Sequence, residues 1–253
     1  MLSLEYIPQG LEADKNLLTS WLACLWADFV IIPDSPKGKP TPEACMAALG
    51  LRDSFDVRMI PSIAASGRRV ERVESLLLGL KYAGFDAVAV IGGDRRAQGD
   101  LDGGAMAKIA KEILGKESLV VCGSSLILDT EAKKSLEKKI ANGARIIISQ
   151  PAFCPQAAER FLAEFEAVAK GSGAMGMVGF FPIYDGTLCA KIQADSLGFD
   201  IPSSYQKAIA YDALKANHTL FTQLSKLCPN LHLSGAKNTF VSDLIHSLAP
   251  RSL

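Results

Sequence analysis

The chain has 253 residues, 49% hydrophobic and 21% charged, with 27 Lys+Arg against 27 Asp+Glu. That composition suits one large domain with a sizeable core, and the lack of net charge removes any electrostatic case for nucleic acid or an anionic membrane surface. The longest apolar stretch, residues 21–32, is interrupted by Asp28 and is too short to span a bilayer. The N-terminus runs into a strand pattern without a basic leader, so a cytoplasmic protein is expected.

In chain order, short apolar runs alternate with helical periodicity. Residues 2–7 (LSLEYI) predict a first strand ending near Glu5, and further strands are predicted at 28–32, 56–61, 86–91, 118–122, 145–149, 175–181 and 230–233. The fourth, AVAVIGG, runs into Asp94, and the sixth, ARIIIS, runs into Gln150. The clearest helices are predicted over 69–83, 130–142 and 154–170. The second of these places Leu136 and Ile140 four apart and Gly143 just past its end as a C-cap, and its lysines from Lys133 to Lys139 read as a solvated face. Residues 201–227 read as a long helical stretch before the last strand. Nothing resembles a linker, a low-complexity tract or a short repeat.

Eight strands in alternation with helices predict a single (β/α)8 TIM barrel over residues 1–253. The first βα turn is Pro-Gln-Gly, where an open dinucleotide-binding sheet would carry G-x-G-x-x-G. Parallel sheets gather their chemistry at the carboxyl ends of the strands, so Glu5, Asp94 and Gln150 are expected to converge on one mouth. Six cysteines form no C-x-x-C pair and no metal-spaced Cys/His cluster, and most sit in apolar segments, so reduced, buried thiols are expected. The three histidines all come late, and none closely follows a predicted strand, so neither a His-based triad nor a zinc site is expected.

SLEYIP resembles the S-F-E-F-F-P type first strand of methylenetetrahydrofolate reductases, which are flavin-dependent (β/α)8 barrels. AVAVIGGDRR is similar to the strand of that family ending in L-R-G-D, and GARIIISQPAF to its G-A-x-x-x-I-T-Q-x-F-F. GFFPIYD and NLHLSGAKNT match its P-G-I-x-P-V segment and its last strand and turn, in the same order. The resemblance implies reduction of a 5,10-methylene-tetrahydropterin, of the tetrahydrofolate type, to the 5-methyl form in one-carbon metabolism. Glu5 would be the acid that protonates the pterin, Asp94 the aspartate beside the flavin, and Gln150 the contact to the pterin and nicotinamide rings. Phe153 and Ile192 fall on the family's substrate face, and Lys139 at a lysine associated with the cofactor's phosphates. The implied cofactor is FAD, with FMN the lesser alternative, reduced by a nicotinamide or a protein donor.

Several positions depart from the family pattern. Ser62-Ile63-Ala64-Ala65 replaces a His-x-Thr-Cys type run, Gly92 stands for an arginine, Gly123 for a tyrosine, Ile192 for an aromatic and Asn238 for an arginine. Backbone amides around Gly92 and Gly93, with Gly123, Ser124 and Ser125, are expected to hold phosphate in place of those side chains. Two other readings stand beside the reductase. One is a non-redox pterin-binding or methyl-transfer partner subunit on the same barrel, and the other a flavoenzyme with a different substrate. An electron-donor or methyltransferase protein partner and a homo-oligomer are compatible with them.

Overall fold

The computed structural model describes residues 1–92, 101–194, 200–235 and 237–249. Its strands are β1 (Leu2–Glu5), β2 (Phe29–Ile32), β3 (Arg58–Ala64), β4 (Ala87–Ile91), β5 (Leu119–Ser124), β6 (Ile146–Pro151), β7 (Met175–Phe180) and β8 (Leu231–Leu233). Each pairs in parallel with the next, and β8 pairs with β1, so the sheet is a closed eight-stranded barrel. Helices α1 (Leu11–Cys24), α2 (Ala44–Arg52), α3 (Val70–Tyr82), α4 (Gly103–Leu114), α5 (Thr130–Ala141) and α6 (Pro155–Ala169) fill the successive crossovers. After β7 come α7 (Gly186–Ala194), α8 (Ser203–Tyr211) and α9 (Ala213–Leu227), and α10 (Asn238–Leu248) follows β8. The predicted (β/α)8 architecture is therefore the observed one.

Strand alternation explains why the barrel closes over a filled interior. Successive side chains point to opposite faces, so a strand buried on both faces is apolar throughout. One set, including Leu4, Val30, Val88, Val120 and Ile147, packs against the helices in the main core. The other set, Phe29, Ile31, Ile60, Ala87, Ala89, Val121, Ile146 and Met177, forms a separate cluster inside the barrel. Ser3, Ser62 and His232 are the buried polar members of that inner set, and the β1–β8 register places Ser3 opposite His232.

Two local expectations are corrected. The helical stretch at 201–227 is two helices meeting at Asp212, whose backbone is extended at φ −154°. Its carboxylate accepts the Lys215 N–H at 2.9 Å and so caps α9, an alternative to helix continuation that short acidic side chains offer. Lys139 is not part of a solvated face. It lies three residues after Leu136 on the buried stripe of α5 and is 8% exposed, while Lys134 and Lys138 are exposed. The helix ends as expected at Gly143, with φ +98°, where Gly143 N–H donates to Ile140 and Ala144 N–H to Lys139 in a Schellman arrangement.

Cys122, Cys189 and Cys228 are buried, Cys24, Cys45 and Cys154 are half-buried, and all six are free thiols. Among the described residues no helix is long and apolar enough to cross a membrane, and no group of His, Cys, Asp and Glu is arranged to hold a metal ion.

Candidate functional site

The carboxyl ends of the strands open onto two contiguous cavities. The smaller, about 210 Å³, is the barrel mouth, with Ile31, Ala89, Val121 and Ile148 as an apolar floor and Glu5, Ser62, Gln150 and His232 as polar groups around it. The larger, about 550 Å³, runs outward between β4 and β5 to the starts of α4 and α5. It is lined by Gly92, Gly103, Gly123, Ser124, Ser125, Asp129, Glu131 and Lys139 among others. Ile91, Gly123, Ser124 and Gln150 line both. A mostly apolar floor with a few convergent polar groups is the usual make-up of a small-molecule site.

Glu5 is the last residue of β1, and its Oε1 accepts the Gly235 N–H at 2.9 Å across the β1–β8 seam. A Cβ on Gly235 would lie 3.1 Å from that oxygen and 3.2 Å from the Glu5 carbonyl, so glycine permits the close approach. Gln150 sits in a register shift of β6 against β7 between Ile148 and Pro151. Ser149 holds this shift, its hydroxyl donating to the Gln150 carbonyl at 2.8 Å and accepting the Gly179 N–H at 3.0 Å. Such irregularities re-aim side chains at barrel rims, and here the side chain re-aimed is Gln150.

In the larger cavity the starts of two helices meet the wall. Asp102 caps α4 through Ala105 N–H and pairs with Lys138 at 2.6 Å, while Asp129 caps α5 through Ala132 N–H. Lys138 and the Ala105 amide hold the Asp102 carboxyl below the usual carboxylate range. The Lys139 ammonium donates to the Gly123 carbonyl at 2.8 Å, and a Cβ on Gly103 would fall 2.7 Å from Lys139 Cε, so the lysine stem occupies the space that this glycine leaves open. On the other side of the mouth Arg68 chelates Asp34, which also accepts the Ala64 N–H at 2.9 Å, tying the β2 and β3 rims together.

Of the residues singled out in the sequence, Glu5 and Ser62 line the mouth, Gly92 and Lys139 line the larger cavity, and Gly123, Ser124 and Gln150 line both. Phe153 and Ile192 line neither. Both are buried in the main core, Phe153 with its ring 6.0 Å from that of Tyr205. Gly93 and Asp94 lie outside the described residues. His232, which carries no expectation from the sequence, also lines the mouth, because it lies inside β8 and not after a strand. The signal was the run Leu-His-Leu: two leucines facing the helices leave the residue between them facing the interior.

His232 is 4% exposed, and burial pushes its imidazole down to a pKa of about 4. A base depressed in this way stays neutral in the fold, while the unfolded chain takes up a proton below about 6.5. Stability is then complete above about pH 6.5 and falls progressively towards pH 4. At 1.36 kcal/mol per pH unit, the loss from this group is on the order of 3 kcal/mol. Urea titrations of wild type and His232→Asn at pH 7.5 and 4.5 should show that loss in the wild type and its disappearance in the variant. An equal loss in both would place the acid sensitivity elsewhere.

Neither a protein-family model nor a curated protein sequence matches the chain. Solved structures do. An uncharacterised Clostridium thermocellum protein that binds two copies of 5-methyl-5,6,7,8-tetrahydrofolic acid is similar at a TM-score of 0.71 and 14% identity, over 98% of this chain and 94% of that one. 2,3-Dimethylmalate lyase, of the PEP mutase/isocitrate lyase superfamily, is similar at 0.53 and 10% identity, over 92% and 75%. At these identities the similarity is one of fold.

Proposed function

We propose that this barrel binds a reduced pterin of the tetrahydrofolate type at its mouth and reduces the 5,10-methylene form to the 5-methyl form with a bound flavin. The observation that carries the reading is the presentation of Glu5 and Gln150, from separate strands, over one apolar floor. In its protonated form Glu5 would deliver the proton that a ring nitrogen gains, and the Gly235 N–H bond to Oε1 supports this role by holding the carboxyl group in one orientation. Gln150 offers both donor and acceptor to the edge of a pterin. Ile31, Ala89, Val121 and Ile148 keep the ring face dry. The pterin bound by the Clostridium thermocellum protein, a barrel of the same extent, supports the ligand class.

The larger cavity has features that fit the phosphate-bearing part of a flavin dinucleotide. Gly92, Gly123 and Ser124 line it at the strand ends with little or no side chain, and Lys139 supplies a buried cation held across Gly103. Asp129 and Glu131 would repel phosphate at the α5 end, so the phosphates belong toward Gly123 and Lys139. When bound, the flavin supplies the hydride chemistry, with electrons from a reduced nicotinamide or a protein donor.

One observation favours the non-redox reading. Lys139 is the only cation among the described residues lining the larger cavity, which Asp129 and Glu131 also line, while the Clostridium thermocellum protein binds two pterins. On that reading both cavities take pterin, and the barrel holds a methyl-pterin for a partner. Titration with FAD and with FMN separates the two. The reductase reading expects a perturbed flavin spectrum saturating within tens of micromolar, a range that cellular flavin could occupy. An unperturbed spectrum together with measurable binding of 5-methyltetrahydrofolate leaves the non-redox reading, and absence of both removes the pterin site altogether.

A further inference from the structure

The buried Ser3–His232 pair is used by neither the acid nor the cofactor assignments, yet it borders the cavity that holds Glu5 and Gln150. Ser3 Oγ lies 2.8 Å from His232 Nδ1 and 3.9 Å from Met177 Sδ, so one ring nitrogen is engaged by β1 through a hydroxyl that also touches β7. Among the described residues His232 has no other hydrogen-bond partner, and it lines the cavity together with Glu5 and Gln150, so Nε2 is the ring nitrogen left for a ligand there. An imidazole placed in a barrel interior that is otherwise largely apolar costs desolvation, and a hydroxyl partner answers for only one of its two nitrogens.

We infer that His232 sets the orientation of the bound pterin, its ring held through Nδ1 by Ser3 and its Nε2 hydrogen-bonded to a polar edge of the ligand ring. The inference rests on the pterin reading above. Three groups then read the ligand from three strands: Glu5 from β1, Gln150 from β6 and His232 from β8. A planar heterocycle with donors and acceptors on its edge is fixed in one orientation by three such contacts, whereas two leave it able to rock between them. Because burial keeps the imidazole uncharged, Nε2 offers a neutral hydrogen bond, suited to an uncharged reduced pterin and not to an anion. A pterin turned over in the site would present the wrong edge to Nε2 and leave it unpaired in an apolar surround, a penalty that works against the wrong orientation.

The test uses 5-methyltetrahydrofolate and the full chain labelled with ¹⁵N at histidine, of which there are three. His246 hydrogen-bonds Ser20 and Ser242 on the helical shell, and its ring signals serve as an internal control. Saturation with ligand should shift the His232 Nε2 resonance and leave that of His246 in place. In parallel, His232→Asn keeps an amide toward Ser3 but loses the outer nitrogen, and should bind about 10-fold more weakly, the worth of one hydrogen bond. His232→Gln, which can reach the Nε2 position, should recover most of that loss. Unshifted His232 ring nitrogens in ligand-saturated wild type would overturn the inference and leave the pterin site standing. A wild type that binds no pterin would remove the site and the inference together. The wild-type spectra decide the matter even where a variant fails to fold.

Discussion

On the reductase proposal, Glu5→Gln should leave reduction of bound flavin at its wild-type rate and slow pterin reduction by about two to four orders of magnitude, the usual worth of a positioned acid. The two half-reactions differ in what they ask of the protein. Hydride delivery to a flavin needs no acid at Glu5, whereas conversion of a methylene-pterin to the methyl form needs a proton at nitrogen. The substitution is nearly isosteric, and a glutamine Oε1 can accept the same Gly235 N–H that Glu5 accepts at 2.9 Å, so the β1–β8 seam is kept. Stopped-flow absorbance of the flavin follows the halves separately. Equal loss in both would make Glu5 a support for fold or cofactor, and no loss in either would remove it from the chemistry.

Gly179→Ala destabilises the barrel by about 3 kcal/mol and disorders the Gln150 side of the mouth, at the upper end of what overpacking costs. A Cβ at this position would lie 2.4 Å from the Ser149 carbonyl oxygen and 3.2 Å from the Gln150 carbonyl carbon. Both are backbone atoms in the shifted register of β6, and they cannot swing aside as a side chain can. The Gly179 N–H to Ser149 bond, which holds that register, would be lost with them. Gly103→Ala is the contrast. The atoms nearest its Cβ would be those of the Lys139 side chain, with Cε at 2.7 Å, and a lysine side chain can shift where backbone cannot, so about 1 kcal/mol is expected. Urea unfolding of both variants, with pterin affinity measured on each, checks the pair. Equal stability of the two would mean that β6 and β7 do not pair in this register.

The barrel was legible because a strand buried on both faces leaves a short, nearly continuous apolar run, and eight such runs alternate with helical periodicity. Glu5 and Gln150 were legible for the same reason, as polar residues interrupting those runs at their carboxyl ends. What the alternation hid has separate physical causes. Asp212 looks like any polar position within a helix, and only its extended backbone shows that it ends one helix and caps the next. Lys139 was obscured by its neighbouring lysines, although its spacing from Leu136 put it on the buried stripe. The register shift that aims Gln150 depends on Ser149 and Gly179, which are 30 residues apart and carry no local signature. Phe153 was named by likeness of motif, but its ring packs into the core beside Tyr205, which only the fold brings near.

A single turnover without external electron donor decides between reduction and mere binding of the pterin. The protein is loaded with FAD, reduced, freed of excess reductant and mixed anaerobically with 5,10-methylenetetrahydrofolate. It should reoxidise its flavin and yield one equivalent of 5-methyltetrahydrofolate per flavin. A flavin that stays reduced while the pterin demonstrably binds would contradict the reductase and leave a barrel that holds pterins without reducing them.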